Sequence, residues 1–490
     1  MDYTINRTFD SIYSDIKNQT VSTFTEELRK PLSYVIGIGR AAGADYVELF
    51  LEKRNIQRMT AQNGVIAGIS PSIDIGVGIK VSYNGQNGYA CTSSLSLDSL
   101  INCLGKSLSI IGLSLPNSSQ IVLDVDLEPI RDYVAINSKQ KLVDALPDIN
   151  ESKETLLKTS ALMKAQISDL ENYMSMYFHD AQEVLVASSD GIFAKDLRLV
   201  NRVVNSSLAV KEGERASISR TFGATSNANL LREFNAEETV ASMAQSSKNM
   251  IKADFAESGD FPVVLGNGFG GVIFHEACGH LLETTAVQKK SSPFTEMKGQ
   301  QIAHEAVTAW DEGRTENAYG SIDMDDEGMP AQKTLLIENG VLKNFMADRS
   351  GSLKTGHPRT GSGRRENFRF APASRMRNTW IAPGKYSKDE LISSIDNGIY
   401  CEALGGGSVQ PTGDFNFAAQ EAWRVENGKI TKPLKGATLV GSATDILMKI
   451  SMCGSDLDIA SGHCGSVSGS IYTTVGQPHI KVDKITVGGR

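Results

Sequence analysis

The chain has 490 residues, 40% of them hydrophobic and 22% charged; that length exceeds one ordinary hydrophobic core, and that composition excludes fibrous and disordered classes. Its net charge of −8 argues against a nucleic-acid binder that works through bulk positive charge, so no nucleic-acid partner is expected. Residues 1–20 carry Asp2, Arg7, Asp10, Asp15 and Lys17 and lack a signal peptide's apolar core, no window reaches the roughly 18 apolar residues of a membrane span, and the six cysteines are scattered; a cytoplasmic protein with reduced thiols and no membrane partner is expected.

Residues 1–43 read as helical, with Phe24, Leu28, Leu32, Val35 and Ile36 at helical spacing before Gly43. Strand patterns follow at residues 46–52 and 76–81, then helical periodicity returns over 95–111, giving an N-terminal α+β domain, residues 1–120. A helix over 151–170 precedes strand-like runs from Tyr173, punctuated by Ser189-Asp190-Gly191 and Glu212-Gly213-Glu214, and a helix over 236–252 closes a middle α+β region, residues 121–258, with antiparallel strands. Ser258-Gly259-Asp260 marks a boundary. Beyond it glycine becomes frequent and short β-runs dominate, so residues 259–490 are expected to form a β-rich domain with one or two inserted helices. The fold class is α+β: an N-terminal α/β-type sandwich region with a mixed sheet, then a β-rich C-terminal domain carrying one motif helix.

That motif is His275-Glu276-Ala277-Cys278-Gly279-His280. Two imidazoles flanking a carboxylate are the groups that hold zinc and deprotonate its water. The spacing is unusual: histidines at i and i+5 stand about 140° apart on a regular helix, against about 40° at i and i+4. Both reach one ion only if the helix bulges, ends or kinks, and Gly279 offers that backbone freedom. Glu283, the pair His304-Glu305, and Cys464 beside His463 are all open as a third ligand.

Other candidates have plainer readings. Arg359, Arg364, Arg365, Arg369, Arg375 and Arg377 read as structural or substrate-facing. The acidic run 323–328 lacks calcium-loop spacing and reads as a solvated turn. Cys91, Cys103, Cys278, Cys401 and Cys453 read as small buried hydrophobes, His463 as a bystander before a group acting on the site, and His357 and His479 as turn residues. Gly405-Gly406-Gly407 is either an approach for a substrate backbone along a strand edge or a packing bulge.

Six stretches in order over residues 261–490 carry a resemblance: "VVLGNGFGGVIFHEACGHLLE", "IDMDDEGMPAQKTLLIENGVLKNFMAD", "GSGRRENF", "GIYCEALGGGSVQPTGDFNF", "EAWRVENGKITKPLKGATLVG" and "CGSVSGSIYTTVGQPHIKVDKITVGG". They resemble the TldD/PmbA peptidases, also called modulators of DNA gyrase, in the metal-bearing TldD branch; "GRAAGADYVELFLEKR" and "IDIGVGIKVSYNGQNGYA" resemble the family more loosely. The resemblance implies Zn2+ held by His275, His280 and Cys464, with Glu276 as general base toward the attacking water. It also implies short or unfolded peptide substrates, and a homodimer or a heterodimer with a PmbA/TldE-like homologue. A non-catalytic partner or regulatory scaffold of the gyrase-modulator kind is the alternative, but the metal-free branch lacks the His-Glu-x-x-x-His residues present here.

Overall fold

A computed structural model describes residues 24–117, 125–136, 149–225, 230–410 and 413–489. Strand alternation extends far beyond the short runs legible in the sequence. Tyr46–Gln62, Val65–Tyr83, Leu170–Ser188 and Phe193–Lys211 are strands of 17, 19, 19 and 19 residues. With Gln86–Thr92, Glu214–Thr225 and the two-residue Arg131–Asp132 they form one seven-stranded sheet. Its hairpins turn at Asn63-Gly64, Asn84-Gly85 and Glu212-Gly213, where both residues have positive φ, the geometry that matches strand twist. Tyr46–Gln62 pairs with Val65–Tyr83 on one side and Leu170–Ser188 on the other, so strands from both expected N-terminal regions share a sheet.

Both faces of this sheet are covered. Val47, Leu49 and Leu51 point to one face, where they meet Leu32, Val35 and Ile36 of helix Arg29–Ala41 and Leu100, Leu104 and Leu108 of helix Leu97–Ile110. Of the expected helix over 1–43, residues 1–23 lie outside the described residues; among the rest, a 3-10 turn at Glu26–Leu28 leads into the helix, and Pro31 sits in its first turn, where its missing N–H costs nothing. Helix Ile149–Gln166 packs on helix Ala236–Met250, which Asn235 caps by accepting from the Glu238 N–H at 3.1 Å. No helix among the described residues is long and apolar enough to cross a membrane.

The second body holds an eight-stranded sheet, which takes in the two-residue strand Asp254–Phe255 before strand Gly259–Leu265, and a six-stranded sheet. Between them lies the largest apolar cluster, in which Val263, Leu265 and Ile399 of one sheet and Ala309, Leu336 and Ile381 of the other enclose Ile273, Phe274, Ala277 and Cys278. The motif segment is therefore core on its apolar side.

The alternate residues of Tyr46–Gln62, Glu48 and Glu52, face this second body and are buried. The run 323–328 meets them there, and here the sequence expectation fails: it is no solvated turn. Asp325, Asp326 and Glu327 are fully buried. Lys80 Nζ lies 2.8 Å from Glu327, Arg198 2.6 Å from Asp326, and Arg365 bridges back to Glu48 at 2.6 Å. The polar alternation that suggests a wetted face in the sequence is instead an ion-paired interface. Burial opposes ionisation of Glu327, but Lys80 and Arg359 outweigh it and hold its carboxyl down at about 2.

Removing one member of such a pair strands its partner. Lys80→Met should destabilise the whole chain by about 3 kcal/mol in chemical denaturation, and adding Glu327→Gln should recover part of that loss.

Candidate metal centre

Helix Val272–Ala277 carries His275 in its last turn, and it ends at Cys278 (φ −126°, ψ −47°) before a 3-10 turn over Gly279–Leu282 that carries His280. This change of helix type resolves the i, i+5 spacing without a π-bulge. The role of Gly279 differs from the expectation: its φ is not left-handed, but a Cβ there would stand 2.1 Å from Met376 Sδ. Space, not backbone freedom, requires glycine. Gly271, at the helix start, likewise admits the Gly476 backbone, which a Cβ would meet at 2.6 Å.

The structure brings together His275, His280 and Cys464, whose ligand atoms all lie within 4.8 Å of one another. The two imidazole rings stand edge to face, 5.1 Å between centroids. Cys464 Sγ is 3.3 Å from His280 Nε2, and tetrahedral zinc ligands of this kind stand roughly 3.5 Å apart. His275 is buried, yet its Nδ1 has no hydrogen-bond partner. Buried polar atoms are rarely left so, and a two-nitrogen, one-thiolate donor set fits a borderline-soft metal ion. Burial alone would raise the Cys464 thiol; His275 and His280 outweigh it and hold it well below its ordinary value.

Glu276 Oε2 lies 3.7 Å from His280 Nε2, and its side chain remains partly exposed at the cleft. The cleft has a volume of about 420 Å³ and is lined by Glu276, His280, Val409, Gln410, Gly465 and Val467 among others. Glu283 is not in the three-donor cluster. It accepts from His280 Nδ1 at 3.2 Å through Oε2 and from the Met376 N–H at 3.2 Å through Oε1, which fixes the ring so that Nε2 faces Cys464. His304 is also elsewhere, its Nδ1 accepting from the Ala306 N–H at 3.1 Å.

Cys464 lies on strand Asp458–Ser466, opposite Ile471 of Gly469–Gln477. Arg375, fully buried, donates to the Cys464 carbonyl, to Ser468 Oγ and to the Gly469 carbonyl, stapling this hairpin. Sequence reasoning counted Arg375 only within a basic cluster; its burial had no sequence signal. That cluster is structural: Arg377 pairs with Asp311 at 2.7 Å, and Arg364 donates to the Met376 and Tyr472 carbonyls. His463, one residue from Cys464, meets Tyr319 Oη at 3.0 Å through Nε2; burial, then Arg202, Arg54 and Arg58, push it down to about 4. Four cysteines, Cys103, Cys278, Cys401 and Cys453, are buried as expected, whereas Cys91 is exposed because the short strand Gln86–Thr92 leaves one face uncovered.

Residues 258–489 match the PmbA/TldA metallopeptidase C-terminal domain, and residues 47–111 match domain 1 of the same metallopeptidases. Over 458 residues the chain is 35% identical to a metalloprotease TldD homolog of Haemophilus influenzae, covering 91% of this chain and 93% of the relative. The chain belongs to the PmbA/TldD family. A second PmbA/TldD relative, a zinc metalloprotease TldD homolog of Saccharolobus solfataricus, is 28% identical over 430 residues, 86% of this chain and 91% of its own length. TldE from Thermococcus kodakarensis shares the fold, with a TM-score of 0.72 at 18% identity over 94% of this chain and all of that one. A Thermotoga maritima protein named a candidate modulator of a DNA gyrase does so with a TM-score of 0.73 at 20% identity, over 94% of this chain and all of that one.

Glu283→Gln keeps the shape of the side chain but not its charge. Its affinity for a divalent metal, titrated against a chromophoric chelator, should fall about 10- to 100-fold.

Proposed function

We propose that this chain is a zinc-dependent peptidase acting on short or unfolded peptides, with His275, His280 and Cys464 as ligands and Glu276 as general base. The observation that carries the reading is the convergence of those three donors within 4.8 Å, with the Glu276 carboxylate 3.7 Å from one of them and open to the cleft. The zinc named for the Saccharolobus relative supports the choice of metal.

Bound zinc supplies Lewis acidity, polarising the scissile carbonyl and easing deprotonation of water. Glu276 accepts the proton of the attacking water and returns it to the leaving amine. Glu283 holds the His280 ring, and Arg375 holds the Cys464 backbone, so the donors meet without rearrangement. Strand Asn397–Val409 pairs with Gly259–Leu265 only at residues 399–401; beyond them its sole strand partner among the described residues is Asp414–Glu426. The side left open runs to Val409 at the cleft and supports extended peptides as substrates, bound along a strand edge. Gly406 borders open space there, whereas a Cβ at Gly405 would stand 3.3 Å from the Ala418 carbonyl oxygen and Gly407 packs against Phe417. The likeness to TldE supports a partnership with a second copy or a TldE-like homologue.

Elemental analysis of freshly purified protein should find about one zinc per chain, lost in His280→Ala and in Cys464→Ala. Glu276→Gln should retain the metal and lose about 10²- to 10⁴-fold in peptide hydrolysis. No zinc even after reconstitution would overturn the peptidase in favour of a non-catalytic scaffold.

A further inference from the structure

The two strands that border the cleft, Asn397–Val409 and Asp458–Ser466, also border a second cavity of about 840 Å³. The seven-stranded sheet supplies Arg202, Ser219 and Arg220 to its wall, and the second body supplies Glu402, Asp458 and Ser461. Most charges here are matched. Glu421 receives Arg220 at 2.6 Å and Ser246 Oγ at 2.6 Å, Glu402 receives Trp423 Nε1 at 2.9 Å, and Asp458 receives the Ile459 N–H at 2.8 Å.

Arg202 is different. It forms no ion pair with a carboxylate among the described residues; its guanidinium hydrogen-bonds the neutral Tyr319 hydroxyl and lies 5.7 Å from the centroid of that ring. Its Nε is buried without an acceptor, and so is Ser461 Oγ on the facing strand. A half-buried cation without a counter-ion is costly, and buried donors are rarely left unmet. What these groups lack is an anion with two acceptor atoms. A metal ion is the wrong charge for them, and a carboxylate is the anion a peptide brings.

We propose that this cavity is a carboxylate subsite for the peptide, with the Arg202 guanidinium as its cation and the Ser461 hydroxyl as its second donor. The assignment rests on the peptidase reading above. Ser461 lies four residues before Gly465, which lines the cleft with Glu276. An extended chain covers that separation in about 13 Å, so the bound carboxylate stands about four or five residues from the scissile bond. It belongs either to the peptide's C-terminus or to an Asp or Glu side chain at that distance.

The test is binding, measured by fluorescence anisotropy on metal-loaded Glu276→Gln protein, which does not consume the peptide. Matched peptides end as the free acid, as the amide, or as the amide with Glu or Gln at the chosen distance. Either acid is expected to bind about tenfold more tightly than its neutral partner, and whichever does so names the source. That ratio should fall to about one in Arg202→Gln and survive in part in Arg202→Lys. Equal affinities for acid and neutral peptides, or a preference for a basic one, overturn the subsite; wild-type peptides alone decide this if the Arg202 variants do not fold. Acid preference without any cleavage by native protein would instead remove the peptidase reading and leave the subsite standing.

Discussion

The buried acidic run at Asp325, Asp326 and Glu327 is the constraint on which the architecture turns, because three carboxylates withdrawn from water need compensating charge from two separate bodies. Lys80 and Arg198 come from the seven-stranded sheet, while Arg359 and Arg365 come from the segment that follows the acidic run. Neither body can bury its share without the other. Arg365 also stacks on Phe50, 4.2 Å to the ring centroid, so the apolar and ionic parts of the interface share a residue.

From that interface the same stretch of chain reaches the metal-ligand cluster. Arg375 and Arg377 lie ten and twelve residues beyond Arg365; one fixes the hairpin of Cys464 and the other fills the buried site at Asp311. Met376 between them presses its sulfur toward Gly279 and gives its N–H to Glu283. Two consecutive residues, Arg375 and Met376, thus touch the Cys464 hairpin, the break between the histidines, and the carboxylate that orients one of them. On the other side of the hairpin, Tyr472 receives Arg54 at 2.6 Å and donates to Asp180 at 2.5 Å, tying it to the first sheet.

What the sequence discloses follows the range of the interactions involved. The α+β class, the long helices and the motif were legible because helical periodicity, turn residues and a six-residue motif are local. The burial of the polar residues of Tyr46–Gln62 was not, since Glu48 and Glu52 meet Arg365 and Phe368, 317 and 316 residues away in the chain. Cys464 could be chosen from the open candidates only through the family resemblance, because no local spacing links it to His280. Glu283 was legible as an acid near the motif, but its place beside the ring rather than among the three donors depends on the turn after Cys278. The acidic run was misread because its partners, Lys80 and Arg198, are distant in sequence.

The separation of 184 residues between His280 and Cys464 has a consequence for how such a chain is made. On the proposed ligand set, the helix and turn that carry the two histidines are synthesised long before the hairpin that completes the donor set. On that reading the donor set stays incomplete on the ribosome until the last hairpin has emerged and closed against the core. A peptidase of the proposed kind would thereby be kept from acting on its own nascent chain, through the order of its parts.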